Sequence, residues 1–164
     1  MQPASPTDSP GALPTATVVG DSRYFMVMGI DVAVRTAGIG LGGRLSVAEH
    51  IVPPAGRLPL HKLGADTVVV GLEGTITLLY ADHEVPLPDS HSAFVPSSVY
   101  YGYRNDTRRE VRLMVITFSS EQDRFLEEVA HNPRVLRDLR PAGARHNIAF
   151  VDNTGNDLPS AIPW

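Results

Sequence analysis

Cysteine is absent from the 164 residues, which excludes disulfides, thiolate metal ligands and a cysteine nucleophile. The fold must therefore rest on packing, and the composition suits a reducing cytoplasm. Lysine is nearly absent as well: Lys62 is the single lysine among 14 basic residues, and the net charge is -4. With no basic field and no Lys/Arg run interleaved with aromatics, nucleic acid is a poor partner. The arginine bias itself reads as coding bias rather than chemistry. Met1 to Ser22, rich in Pro, Ser, Thr and Ala, lacks both a cationic start and an apolar core long enough for a signal peptide or a membrane span. It reads as a disordered leader, and no membrane association is expected.

What remains is a chain with 43% hydrophobic residues, enough for one good core and one domain. Short runs rich in β-branched and aromatic residues predict strands over 23–29, 30–35, 45–52, 67–72, 75–80, 92–95, 100–105 and 111–118. Glycines at 38, 40, 42 and 43 mark a turn, and Pro53-Pro54-Ala55-Gly56 ends a strand, because proline donates nothing to a ladder. Many short strands without intervening helices predict an all-β sandwich or barrel over 23–120. Ser119-Ser120-Glu121-Gln122-Asp123 has a capping-box pattern, and Phe125, Leu126 and Val129 follow on one stripe, predicting a helix over 120–131. The rest, to residue 164, lacks periodicity. Its Ile148, Phe150, Val151, Leu158, Ile162 and Trp164 make it a docking tail, on its own barrel or a partner's.

Pro53-Pro54-Ala55-Gly56, Pro59-Leu60-His61 and Val68 through Gly74 resemble the first motif of the cupin barrels, and Ser90 through Pro96, Ser98, Tyr101 and Asn105 are similar to the second. A Gly-Gly-Arg-Leu-Ser stretch and a Phe-Leu-Glu-Glu segment extend the resemblance to roughly residues 24–130. The resemblance implies a cupin-type jelly roll with a short C-terminal helix and extended tail. It also implies a homodimer, since small cupins pair through their sheets. Of the family's three-histidine, one-glutamate metal set, only His61 is present. Leu63 stands at the second histidine, Thr67 at the glutamate and Tyr101 at the last histidine. A metal needs three or four converging donors, so no metal and no cofactor are expected here.

In the register the resemblance sets, period-2 alternation places His61, Leu63, Thr67, Val69, Gly71, Tyr101, Tyr103 and Asn105 on the barrel interior. Gly71 is expected to widen the cavity. This set suits a bulky, mostly apolar small molecule held by a few polar groups. His61 has two readings: a hydrogen-bonded relic, or a general base or acid with Tyr101 as its partner. Glu49 and His50 point to opposite faces of one strand, and His50, if inward, supplies a second proton-transfer group. The leading expectation is a metal-independent cyclase or isomerase of a polyketide-like intermediate, with His61, Tyr101 and His50 catalytic. Leu63, Thr67, Val69, Gly71, Tyr103 and Asn105 would contact substrate. The alternatives are a non-catalytic binding module, or a metal-dependent oxygenase with atypical ligands such as His50, His61 and Glu49.

Overall fold

A computed structural model describes residues 22–35 and 43–151. The expected leader, the glycines at 38, 40 and 42, and Leu158, Ile162 and Trp164 lie outside the described residues. Eleven strands are formed: β1 Arg23–Val27, β2 Ile30–Val34, β3 Ser46–Val52, β4 Arg57–Leu63, β5 Thr67–Glu73, β6 Ile76–Tyr80, β7 Glu84–Leu87, β8 Ser92–Val95, β9 Tyr101–Arg104, β10 Val111–Thr117 and β11 Ile148–Phe150. They build two antiparallel sheets, in the orders β1-β2-β3-β10-β5-β8 and β11-β4-β9-β6-β7. The fold is an all-β jelly-roll sandwich.

Alternation decides which side chains meet between the sheets. On β3, Ser46, Ala48, His50 and Val52 are buried, and on β10 Val111, Leu113, Val115 and Thr117 are. Their period of two matches the pleat, so each strand turns one edge of its sequence to the core. The second sheet answers with Ile76, Leu78, His61, Leu63, Tyr101 and Tyr103, all buried.

Three strands escape the sequence pattern. β4 and β7 carry Pro59 and Pro86, and proline argues against a strand interior unless it sits at an edge or an irregularity. Both conditions are met here. The β4–β9 register shifts between Leu58 and His61, around Pro59, while β7 lies at the sheet edge. Gly102 opposite has no Cβ to collide with the Leu58 and Pro59 carbonyls. The third, β11, has three residues, too short for a periodic signal.

The C-terminal segment comprises α1 Glu121–His131, a 3₁₀ turn Pro133–Arg137, α2 Arg140–Arg145 and β11. The expected capping box does not form: Ser120 makes no side-chain cap bond. Asp123 is turned away instead, to accept a 2.5 Å hydrogen bond from the Ser46 hydroxyl of β3, which ties the helix to the barrel. Burial pushes the Asp123 carboxyl up, and that hydrogen bond opposes the shift. After α2 the chain turns through Asn147 at φ 56°, and β11 adds to β4 with Ile148 opposite Leu63 and Phe150 opposite His61. Gly64 donates to the Asn147 carbonyl at 2.8 Å, and a Cβ on Gly64 would overlap the Asn147 amide. Residues 148–150 therefore extend the sheet of their own barrel.

Candidate active site

The inner cavity, about 40 Å³, lies between the two sheets at their β1–β2 and β11 end. Val27, Ile30 and Val32 form one wall, and Leu58 and Leu63 another. Phe125 and Leu126 of α1, with Leu139, Ile148 and Phe150, close it. Its polar groups are His50, His61, Tyr103 and Gln122. Two or three waters would fill this volume, which is much smaller than a large molecule.

His50 reaches the cavity from β3 and His61 from β4, on opposite sheets. His61 Nδ1 lies 3.0 Å from the Pro59 carbonyl oxygen. A carbonyl only accepts, so Nδ1 carries the proton and Nε2 keeps its lone pair. His50 Nδ1 lies 2.6 Å from the Tyr103 hydroxyl. The phenol is the stronger acid of an imidazole–phenol pair and has no other acceptor there, so it donates to Nδ1, which leaves the His50 proton on Nε2. That Nε2 is buried with no partner. One imidazole thus offers an acceptor and the other a donor to the same enclosed space.

Burial pushes both rings toward their neutral forms, His50 and His61 each to about 4. For His50 the repulsion of a charge on His61 adds to desolvation. For His61 the Pro59 carbonyl opposes desolvation and loses to it. Desolvation likewise holds Tyr101 and Tyr103 protonated, well above the ordinary phenol value. Tyr101 lies beside His61, ring centroids 4.6 Å apart, and a hydrogen bond with Thr67 works against the rise in its pKa.

His50, His61, Leu63 and Tyr103 line the inner cavity, whereas Tyr101, Thr67, Val69, Gly71 and Asn105 do not. Tyr101 stands behind His61 and reaches the site only through that ring. Thr67 shares hydrogen bonds with Thr117 and the Ala65 carbonyl, and Val69 is fully packed in the core. Gly71 widens nothing: a Cβ there would overlap the Pro88 carbonyl, because the chain after β7 passes directly over it. Its N–H donates to His91 O at 2.9 Å in that crossing. Asn105 is used up by the backbone, donating to the Val52 and Arg109 carbonyls and accepting from the Thr107 N–H and hydroxyl. Glu49 faces away from the interior and pairs with Arg35 and Arg112. Burial would raise its carboxyl, but the two guanidinium hydrogen bonds outweigh that and hold it low.

No protein-family model and no curated protein matches this chain. Among solved structures, the polyketide cyclase RemF from Streptomyces resistomycificus is 16% identical over 64% of this chain and 79% of that one, with a TM-score of 0.54. An RmlC-like cupin from Shewanella frigidimarina is 16% identical over 73% and 96%, also at 0.54. The protein has a cupin fold. A predicted oxalate decarboxylase from Thermotoga maritima, 15% identical over 60% and 91%, shares it at 0.54. On this fold the side chains do not fit the metal set that the resemblance implies. Leu63 has no donor, Thr67 is engaged with Thr117, Tyr101 is held un-ionised and Glu49 lies on the wrong face. Among the described residues no three His, Asp or Glu side chains converge on a metal position, which also removes the atypical set of His50, His61 and Glu49.

The residues that sequence reasoning missed are Gln122, Phe125, Leu126 and Leu139, which belong to the segment after the barrel. Phe125 and Leu126 carry a signal as the apolar stripe of the helix, and Ile148 and Phe150 as apolar side chains of the tail.

Proposed function

We propose that this cupin is a metal-independent acid–base enzyme, a cyclase or isomerase of a largely apolar carbonyl compound, with a polyketide-like chain as the substrate class. The observation that carries this reading is the complementary pair of neutral imidazoles, His61 with a free Nε2 lone pair and His50 with an Nε2–H that has no protein partner, facing one buried cavity. His61 Nε2 takes a proton from the carbon next to the carbonyl, and the C–H electron pair moves toward the carbonyl oxygen. His50 Nε2–H holds that oxygen by a hydrogen bond, which a neutral imidazole can do without giving up its proton. Return of the proton to another carbon completes an isomerisation. Alternatively the enolate carbon attacks a second carbonyl, closing a ring, and His61 returns the proton to the new alkoxide. RemF, a polyketide cyclase on the same fold, supports the substrate class at the level of the scaffold.

The test follows exchange of the α-hydrogens of an apolar ketone in D₂O by NMR. The intact protein is expected to accelerate exchange, and His61→Ala to abolish it. Ketone binding without exchange would overturn the enzymatic reading in favour of a binding module.

The same reading includes a homodimer formed by the outer face of the six-stranded sheet. Tyr24, Met26 and Phe94 are 74%, 66% and 61% exposed there. Tyr24 and Met26 on β1 and Phe94 on β8 flank the Glu49, Arg35 and Arg112 cluster of that face, and such a face meets its own copy across a two-fold axis without needing a second specialised surface. Among the described residues no helix is long and apolar enough to cross a membrane.

A further inference from the structure

Outside the inner cavity lies a second and larger one, about 270 Å³, lined among others by Met28, Arg137, Asp138, Leu139, Arg140 and Phe150. Leu139 and Phe150 line both spaces, so these two side chains form the wall between them. The outer space is a vestibule to the histidines, and its chemistry differs from theirs. Arg140 is tied to Asp138 by two bonds, Nε to Oδ1 at 2.9 Å and Nη2 to Oδ2 at 3.0 Å. Among the described residues, the one carboxylate of the vestibule is thus matched by one guanidinium. Arg137 remains, with no ion-pair partner among the described residues, and gives the vestibule an excess positive charge in a chain whose net charge is -4. Met28 leans over the same space from the tip of the β1–β2 hairpin. It sits at φ 54°, in a turn followed by Gly29 at φ 78°, where asparagine, aspartate or glycine is the ordinary choice. Backbone strain of this kind clusters at active sites and ligand clamps.

We propose that the vestibule binds the anionic end group, carboxylate or phosphate, of an amphipathic substrate whose apolar body enters the inner cavity between Leu139 and Phe150. This rests on the acid–base reading of that cavity and narrows its substrate class. The guanidinium of Arg137 receives the oxyanion through its N–H fork. Met28 covers the first carbons, and displacement of Phe150 makes room for the rest.

The full-length chain is titrated calorimetrically with octanoate, octyl phosphate and octan-1-ol, and the ring resonances of His50 and His61 are followed by NMR. Arg137 is exposed, so Arg137→Gln is expected to keep the fold, which thermal melting checks. Anions are expected to bind about fivefold or more tightly than the alcohol, and R137Q to remove that preference while leaving the alcohol's affinity unchanged. A preference for only one of the two anions identifies the end group and supports the proposal. Equal affinity for the alcohol, or an anion preference that survives in R137Q, overturns it. If the alcohol alone shifts the histidine resonances, the inner-cavity reading stands while this one falls. If none of the three compounds binds, both fall.

Discussion

The ring of Phe150 stacks on that of His61, centroids 5.7 Å apart and planes 27° apart. The two residues are cross-strand partners on β11 and β4, so backbone register brings their side chains together. Phe150 covers one face of the His61 ring. Phe150→Ala is expected to cost about 3–5 kcal/mol of stability. It should also enlarge the inner cavity and raise the His61 pKa above about 4 toward the ordinary 6.5 as water enters. Thermal denaturation and an NMR titration of the histidine ring check both effects. An unchanged titration would show that other groups exclude the water.

Tyr103 sets the tautomer of His50. Removing its hydroxyl in Tyr103→Phe leaves Nδ1 without a donor and frees the ring to carry its proton on either nitrogen. Ketone α-exchange is expected to fall about tenfold to a hundredfold, with stability lower by about 1–3 kcal/mol. Measured exchange equal to that of the parent protein would remove His50 from the mechanism.

The two buried imidazoles make stability depend on acid. Their pKa values drop from 6.5 to about 4 on folding, so between those limits the unfolded chain binds more protons than the folded one. Their contribution is full above pH 6.5 and is lost as pH falls toward 4, by about 3 kcal/mol per histidine. Chemical denaturation at a series of pH values is expected to show this slope, and His50→Gln to flatten it. A stability profile independent of pH across that window would contradict the neutral pair.

Asn105 and Gly71 are expected to act on folding and not on binding. Asn105→Ala removes two donors from backbone carbonyls and an acceptor from the Thr107 turn, and is expected to destabilise by about 2–4 kcal/mol. Gly71→Ala forces the crossing chain at Pro88 away, at about 1–3 kcal/mol or more. Octan-1-ol affinity, measured where each variant is fully folded, is expected to match that of the parent protein.

Light scattering is expected to give a particle of twice the 17.7 kDa chain mass. Met26→Lys with Phe94→Lys places two charges on the outer sheet face and is expected to reduce it to one chain. A monomeric parent protein would remove the dimer reading.

Much of the barrel was legible because its strands alternate every second residue, and that period survives in a single sequence. Ser46-Val47-Ala48-Glu49-His50-Ile51-Val52 declares by itself that Glu49 and His50 lie on opposite faces. The loss of the metal set was equally legible, since a leucine cannot ligate wherever it sits. Alternation cannot say which inward side chains reach a cavity and which are packed or bonded away. Val69, Thr67, Gly71 and Asn105 share the interior register or its continuation, and each is consumed by a neighbour distant in sequence, from Thr117 to Pro88. The choice of His50 over Tyr101 as the second polar group, the covering of the barrel by its own residues 121–151, and the vestibule of Arg137 arise from pairings between segments far apart in the chain. His50 meets Tyr103 across β3 and β9, while the covering and the vestibule form only when β11 takes its place beside β4, and a three-residue strand leaves no period to read.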